Sequence, residues 1–562
     1  MERMPERAVG KSTSCRGVAF ERTSGELGLL PKAPPALPQD GQSGRWVWIP
    51  RSQKVFFQDF LLDNLVLERT VSRSSSHFCD LDFTDEGAVK DHFQELMEKG
   101  EICHDDHLEN QNIADIEKQM GQAPKPAAKP RKPSRLSIIL LDQGLFTVYK
   151  RLFMVCLILN IIALVLAAMG HFPYAKYNAA LFAIGNILAL SLCRSEAFLR
   201  VVFLLVVKLF GRKWVPLHFK TAVTSFLQSL GGIHSSCGVS SIAWLVYALV
   251  LSIKDKQNTP PEIIAVASTI LSLICISSLA AFPLVRHLHH NVFERTHRFT
   301  GWTALALLWV FVVLTISYNP NTKTYNNFFR SNFYNKQEFW FTLSITITII
   351  IPWLTVSRVP VKVSSTSNHA SIIKFEGGVK AGLLGRISPS PLSEWHAFGI
   401  ISSGEKDHMM LAGAVGDFTK SLVSNPPTYL WVRKLHFAGL PYLINLYKKV
   451  MVVATGSGIC VFLSFLLQPC SAEVCLVWVA KGIDENFGKE IMDIVSGYPK
   501  DKVIMHDTAI LGRPNVAKMS VEAAKNWGAE VVIVTSNPEG SRDVVNACKA
   551  SGIPAFGPIW DS

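Results

Sequence analysis

The stretch VMVVATGSGIC, residues 450–460, carries the residue types best suited to chemistry on a phosphate. A Val- and Met-rich run passes into Thr455, Gly456, Ser457 and Gly458, and a second apolar segment, 459–467, follows at once. A buried strand opening through a glycine turn into a helix presents backbone N–H groups to an anion. Gly456 and Gly458 would let the backbone approach a pyrophosphate; the plainer alternative is a tight strand–helix turn that binds nothing. The third glycine of a full dinucleotide fingerprint is missing. Arg513 is a second candidate. Its guanidinium can grip a phosphate with two parallel hydrogen bonds, or simply lie on the surface ahead of Pro514, a residue suited to the first turn of a helix.

Axial metal ligation is the other chemistry in reach. His218 and His234 flank the start of one apolar stretch, and His287, His289, His290 and His297 cluster ahead of another. Neutral imidazoles on facing membrane helices are good haem ligands. His297 with His218 or His234 would hold one haem at the inner end. A second haem needs another histidine about four turns along each helix, and neither 235–252 nor 301–318 contains one. The alternative is that these histidines join nearby arginines in a basic loop facing lipid headgroups.

Composition says what must position these groups. Hydrophobic residues make up 49% of the 562 and charged residues only 18%, which points to a membrane protein. The net charge of +12 reads as basic residues flanking spans rather than as a nucleic-acid surface. Eleven cysteines fall in no CxxC pair, so neither a disulfide framework nor a structural metal is indicated. Residues 1–135, rich in Pro, Ser and charge, read as a mostly disordered cytoplasmic region.

Residues 136–363 read as a transmembrane domain of six spans, at 151–170, 177–192, 215–252, 263–285, 301–318 and 339–356. The third is interrupted at Gly231 and Gly232, so it is either a kinked span or a span preceded by a half-buried helix. The short apolar run 199–210, bracketed by Arg200, Lys208 and Arg212, reads as interfacial. Lys and Arg gather before the first span, between the fourth and fifth, and after the last, which puts both termini in the cytoplasm.

Residues 364–446 hold short β-like runs broken by Gly and Pro, the pattern of a small antiparallel β-barrel. Residues 447–562 alternate: strands at 450–454, 474–480, 502–506 and 530–535, with helices at 485–495, 515–527 and 542–550. Such alternation implies a parallel sheet with ligands beyond the carboxyl ends of its strands.

Four local matches give this order a family likeness. Trp395-His396-Ala397-Phe398 is similar to a His-Pro-Phe element that contacts flavin, and Gly439-Leu440-Pro441-Tyr442 resembles a Gly-Pro-Tyr-Gly turn. Thr455, Gly456 and Gly458 stand where a pyridine-nucleotide turn belongs, and Gly512-Arg513-Pro514-Asn515 is similar to a Gly-Arg-Pro-Asn element. Over 150–562 the chain resembles the ferric reductase and NADPH oxidase branch of the ferredoxin-NADP reductase superfamily, closest to the TmpA-like integral membrane flavoproteins. The resemblance implies a multi-domain membrane protein: a six-helix transmembrane bundle followed by a ferredoxin reductase-like module. It implies an FAD-binding barrel over 364–446 and an NAD(P)-binding α/β domain over 447–562, with Trp560 as a terminal aromatic for the flavin.

The implied activity is hydride transfer from NADPH or NADH to FAD, then electrons to an unidentified acceptor at or near the membrane. The sequence also departs from the pattern. Ala397 replaces a proline, Gly399 stands where a flavin-bonding Ser or Thr is usual, no proline follows the turn at 459–461, and Asn537 stands in place of the Gly of a Cys-Gly-Pro. The alternative is a catalytically degenerate membrane protein whose reductase-like domain senses nucleotide or binds a partner.

Overall fold

The computed structural model describes residues 12–13, 19–20, 148–326 and 333–558, and the chain divides into two units, 1–67 and 68–562. In the first, β1 (Ser12–Thr13) pairs antiparallel with β2 (Ala19–Phe20). The rest of the expectation for 1–135 lies outside the described residues.

In the second unit, α1 (Val148–Ala168) carries no charge beyond its first turn and exposes Leu159, Ile162 and Val165, as a lipid-facing helix would. The next segment corrects the second expected span. Pro173 opens a separate short helix, Asn178 breaks it, and α2 (Ala179–Leu192) has only 14 residues. At 1.5 Å per residue that is about 21 Å, short of the ~30 Å hydrocarbon core.

The amphipathic α3 (Glu196–Phe210) buries Phe203 against the soluble core and exposes Val201, Leu204 and Leu205. The stretch 215–252 resolves into α4 (Leu217–Gln228) and α5 (Leu230–Lys254), parted at Ser229. Gly232 lets α5 cross α1 closely, because a Cβ there would lie 2.3 Å from the Tyr149 carbonyl oxygen.

Three more long helices follow, α6 (Pro261–Ala280), α7 (His290–Ser317) and α8 (Gln337–Leu354), with a six-residue helix, Pro283–Leu288, between the first two. Between α7 and α8 lies a small hairpin, β3 (Tyr318–Asn319) with β4 (Thr324–Tyr325). Among the described residues, five helices, α1, α5, α6, α7 and α8, are long and apolar enough to cross a membrane. Their shared core centres on Trp244, Leu308 and Ile345.

Leu354 ends α8 and the antiparallel strands begin two residues later: β5 (Val356–Pro360), β6 (Lys362–Ser367), β7 (Ala370–Glu376), β8 (Leu383–Ser388), β9 (His396–Gly399) and β10 (Asp407–Gly413). They are followed by α9 (Asp417–Ser424) and β11 (Tyr429–Ala438). One barrel was expected; the strands instead form two sheets, ordered β10-β7-β6 and β5-β11-β8-β9. An isolated Ile401–Met409 pair links them. Along β11 the pairing with β8 shifts register between Arg433 and Phe437, and β9 stops at Gly399.

A five-stranded parallel sheet completes the unit, ordered β14-β13-β12-β15-β16. Its strands are β12 (Lys449–Thr455), β13 (Glu473–Ala480), β14 (Val503–Asp507), β15 (Val531–Thr535) and β16 (Ala555–Phe556). The helices α10 (Ile483–Ser496), α11 (Val516–Trp527) and α12 (Pro538–Ala550) overlap the three expected from the pattern. Val450, Val452 and Ala454 face the core shared with the antiparallel sheets, while Met451 and Val453 face α11 and α12. A strand buried on both faces reads as a continuous apolar run. That is why β12 was legible.

Candidate functional site

The turn after β12 begins with Gly456 at φ +54°, a conformation glycine adopts without penalty. It continues as a 3₁₀ helix, Gly456–Val461, in which every residue is buried. The Trp478 indole N–H donates to the Gly456 carbonyl at 3.0 Å. At the ends of the two central strands the hydroxyls of Thr455 and Ser536 meet at 2.7 Å.

The outer side of this turn lies against the antiparallel sheets. A Cβ at Gly399 would sit 2.7 Å from both N and Cα of Val461, and one at Gly413 would sit 2.6 Å from Ser457 Oγ. Ser464 Oγ donates to the Ile400 carbonyl at 2.6 Å and accepts from the Ser402 N–H at 3.0 Å. Gln468 Nε2 donates to the carbonyls of Val379 and Ser402, both at 2.8 Å, and its Oε1 accepts from Ala381 N–H at 3.1 Å. Burial pushes the Cys460 thiol up to about 12, although backbone N–H groups of Gly399 and Val461 reach its sulfur.

Of the residues expected to touch flavin, His396 and Phe398 are buried within the antiparallel sheets. His396 stacks on Phe418 with ring centroids 4.4 Å apart, and burial first, then the charges of His290 and Arg386, bring its pKa down to about 4. Phe398 belongs to the shared core. Trp395 points elsewhere: its N–H donates to the Pro391 carbonyl at 3.2 Å and Arg433 lies 4.7 Å over its ring. Gly439 is pressed to Leu384, with a Cβ–Cδ1 distance of 2.8 Å for any side chain there, and Pro441 is buried in the 3₁₀ turn Leu440–Leu446. Trp560 lies outside the described residues. Between β9 and the Gly456–Val461 turn, the Gly399 and Val461 backbones are in direct contact.

Further along the carboxyl edge, an anion seat is filled by the chain itself. The Asp507 carboxylate accepts from Gly482 N–H (2.8 Å), Ile483 N–H (2.7 Å) and Ala509 N–H (2.8 Å). Burial alone would raise its pKa, but those three donors hold it below the usual carboxylate value. Sequence reading missed Asp507; its one signal was an acidic residue just after the strand expected at 502–506. Beyond it the edge is open. Ile510 is 80% and Leu511 64% exposed, and Arg513 is exposed behind Gly512 at φ +71°. Asn515 caps α11, its Oδ1 accepting from Lys518 N–H at 3.0 Å. That bond is a helix start.

Of the three candidate metal histidines, His234 and His297 lie within electrostatic reach of each other. His218 is exposed beside Phe219 at the start of α4. His234 Nδ1 lies 2.9 Å from the Leu190 carbonyl, and His297 Nδ1 lies 2.8 Å from Ser277 Oγ and 3.3 Å from its carbonyl. A carbonyl only accepts, so each Nδ1 carries the proton and each Nε2 keeps its lone pair. Among the described residues neither Nε2 has a partner, and no group of three His, Cys, Asp or Glu side chains gathers for a metal.

Joining the bundle to the sheets is a charged clamp that the sequence did not reveal. Glu196, at the start of α3, accepts from Arg386 on β8 and, at 3.4 Å, from Arg433 on β11. Arg433 also lies 5.5 Å over Trp353 at the end of α8. On α7, Arg295 pairs with Glu394 at 2.9 Å and Arg298 donates to the Leu392 carbonyl at 2.9 Å.

Residues 440–562 match the family described as adenylate-forming reductase 03009, C-terminal domain. Two proteins of Coprinopsis cinerea, adenylate-forming reductases 06235 and 03009, are each 32% identical over 447 residues, 77% of this chain and 42% of theirs. The chain is similar to part of an adenylate-forming reductase. It spans less than half the length of these curated relatives.

Among solved structures, full-length CYP116B46 from Tepidiphilus thermophilus aligns at 11% identity and TM-score 0.29, over 36% of this chain and 29% of that one. Ferredoxin-NADP+ reductase from Plasmodium falciparum aligns at 11% and 0.28, over 36% of this chain and 95% of that one.

Proposed function

We propose that this chain is a membrane-embedded protein whose reductase-like module senses a nicotinamide dinucleotide at its open β14 end, without relaying hydride to FAD. The packing of Gly399 on the Val461 backbone supports this reading most. Seating a flavin there would part β9 from the turn and break the Ser464 and Gln468 bonds together. At the open end, Ile510 and Leu511 offer apolar contact to an adenine ring, and Arg513 offers a fork to a 2′-phosphate. The five apolar helices support a bilayer as partner, and the spread of Lys and Arg supports a cytoplasmic module.

A second reading, electron transfer, is favoured by the His234 and His297 imidazoles, each anchored at Nδ1 with Nε2 open. There the pair would hold the iron of one haem, which supplies one-electron chemistry when bound. The word reductase in both relatives' names points the same way.

One preparation decides. The purified full chain is titrated with NADPH and NADH by calorimetry, and its visible spectrum is recorded before and after anaerobic NADPH. The sensor reading expects binding without a flavin band, and Arg513→Ala weakening NADPH about tenfold more than NADH. A flavin band that bleaches overturns it in favour of the relay. A Soret band lost in His297→Ala establishes the haem reading.

A further inference from the structure

The apolar helices form an open pocket of about 330 Å3 at the end of the bundle far from the sheets, lined by Asn160, Leu181, Phe182, Asn186 and Phe341. Its distal placement follows from the chain path. Gln337, on its rim, opens α8, and the other end of α8 leads directly into β5. Tyr174, also on the rim, donates to Gln337 Oε1 at 3.0 Å.

The floor is a polar junction of three helices. Asn160 Nδ2 on α1 donates to the Cys156 carbonyl at 2.9 Å, so its Oδ1 is fixed as the acceptor. That oxygen takes both the Trp244 indole N–H, at 3.0 Å from α5, and Asn186 Nδ2, at 2.9 Å from α2. Asn186 Nδ2 spends its other proton on the Phe182 carbonyl at 2.9 Å. Both amide protons of Asn186 are therefore used, and Oδ1 is left over.

Among the described residues nothing donates to Asn186 Oδ1, although the residue is only 9% exposed. It is also absent from the sealed, unpaired polar atoms of the bundle, such as Ser236 Oγ and Thr342 Oγ1, so it is reachable from the cavity. A buried amide oxygen without a donor is costly in an apolar setting. An apolar pocket of this size, with the Asn186 acceptor at its floor and Tyr174 and Gln337 at its rim, has the form of a small-molecule site.

We propose that this cavity binds a lipophilic alcohol or phenol from the bilayer, its hydroxyl donating to Asn186 Oδ1 and its apolar body lying along Leu181, Phe182 and Phe341. The occupant needs a hydrogen-bond donor, which a hydroxyl supplies, because every donor of the junction is already committed and only an acceptor is open. A plain acyl chain would fill the volume and leave Oδ1 unmet. The proposal stands apart from the nucleotide reading, since no residue is shared.

The test uses the full chain in lipid nanodiscs and a diazirine-bearing alkanol, with crosslinks mapped by mass spectrometry. Crosslinks are expected at Leu181, Phe182 or Phe341. They should be competed by 1-dodecanol about tenfold better than by its methyl ether, the discrimination one hydrogen bond provides. Asn186→Leu should abolish that preference, and Leu181→Trp, which fills the space and leaves the amides alone, should abolish the crosslinks. Equal competition by alcohol and ether would reduce the site to a lipid-filled gap and overturn the proposal. Crosslinks elsewhere, or none, would overturn it too.

Discussion

At the residue scale, Gly399 decides more than the glycines of the turn that first drew attention. Its missing side chain is replaced by the Val461 backbone, so Gly399→Ser should force overpacking and cost about 2 kcal/mol. The expected readout is a lowered unfolding midpoint with no gain of flavin. Tolerance of the serine together with flavin retention would mean the two sheets part in solution. His396 makes a pH prediction. Its folded pKa, about 4, lies below its ordinary 6.5, so between those values the unfolded chain binds more protons and stability rises with pH. Its contribution is complete above about pH 6.5 and falls by about 3 kcal/mol as pH drops to about 4. Denaturant midpoints across that window should flatten in His396→Phe.

At the element scale, α3 couples the bundle to the antiparallel sheets through one carboxylate and two guanidinium groups. Removing the charge while keeping the shape, Glu196→Gln, leaves Arg433 with a diminished partner at a site where burial already lowers its pKa. Breaking such a half-buried cluster costs about 3 kcal/mol. The expected consequence is faster proteolysis in the 211–216 connection, with the parallel sheet unaffected; unchanged digestion would reduce the clamp to a surface contact. The short α2 belongs to the same scale. It survives as a 14-residue helix because Asn186 ties it to Asn160 of α1, which in turn accepts from Trp244 of α5, where length alone would not hold it.

At the scale of the whole molecule, α8 sets the topology because its last residue nearly touches the first strand. Cysteines introduced at Lys323 and Lys406 should label from opposite sides of the membrane, and labelling from one side would remove α8 from the spans. Much of this plan was legible in the sequence. Charge-free apolar runs fixed the long helices, and the buried Val-rich strands of the parallel sheet read as unbroken apolar segments because both their faces are covered. Local composition carries that information, since burial on two faces leaves no polar positions. The site was not legible in the same way. Arg513 and Asn515 kept their motif spacing, yet one is exposed and the other is spent on a helix cap. The contact of Gly399 with the Val461 backbone, the filling of an anion seat by Asp507, and the Asn186–Asn160–Trp244 junction all join residues far apart in the chain. Their meaning depends on which backbone arrives at which distance, and only the tertiary structure decides that.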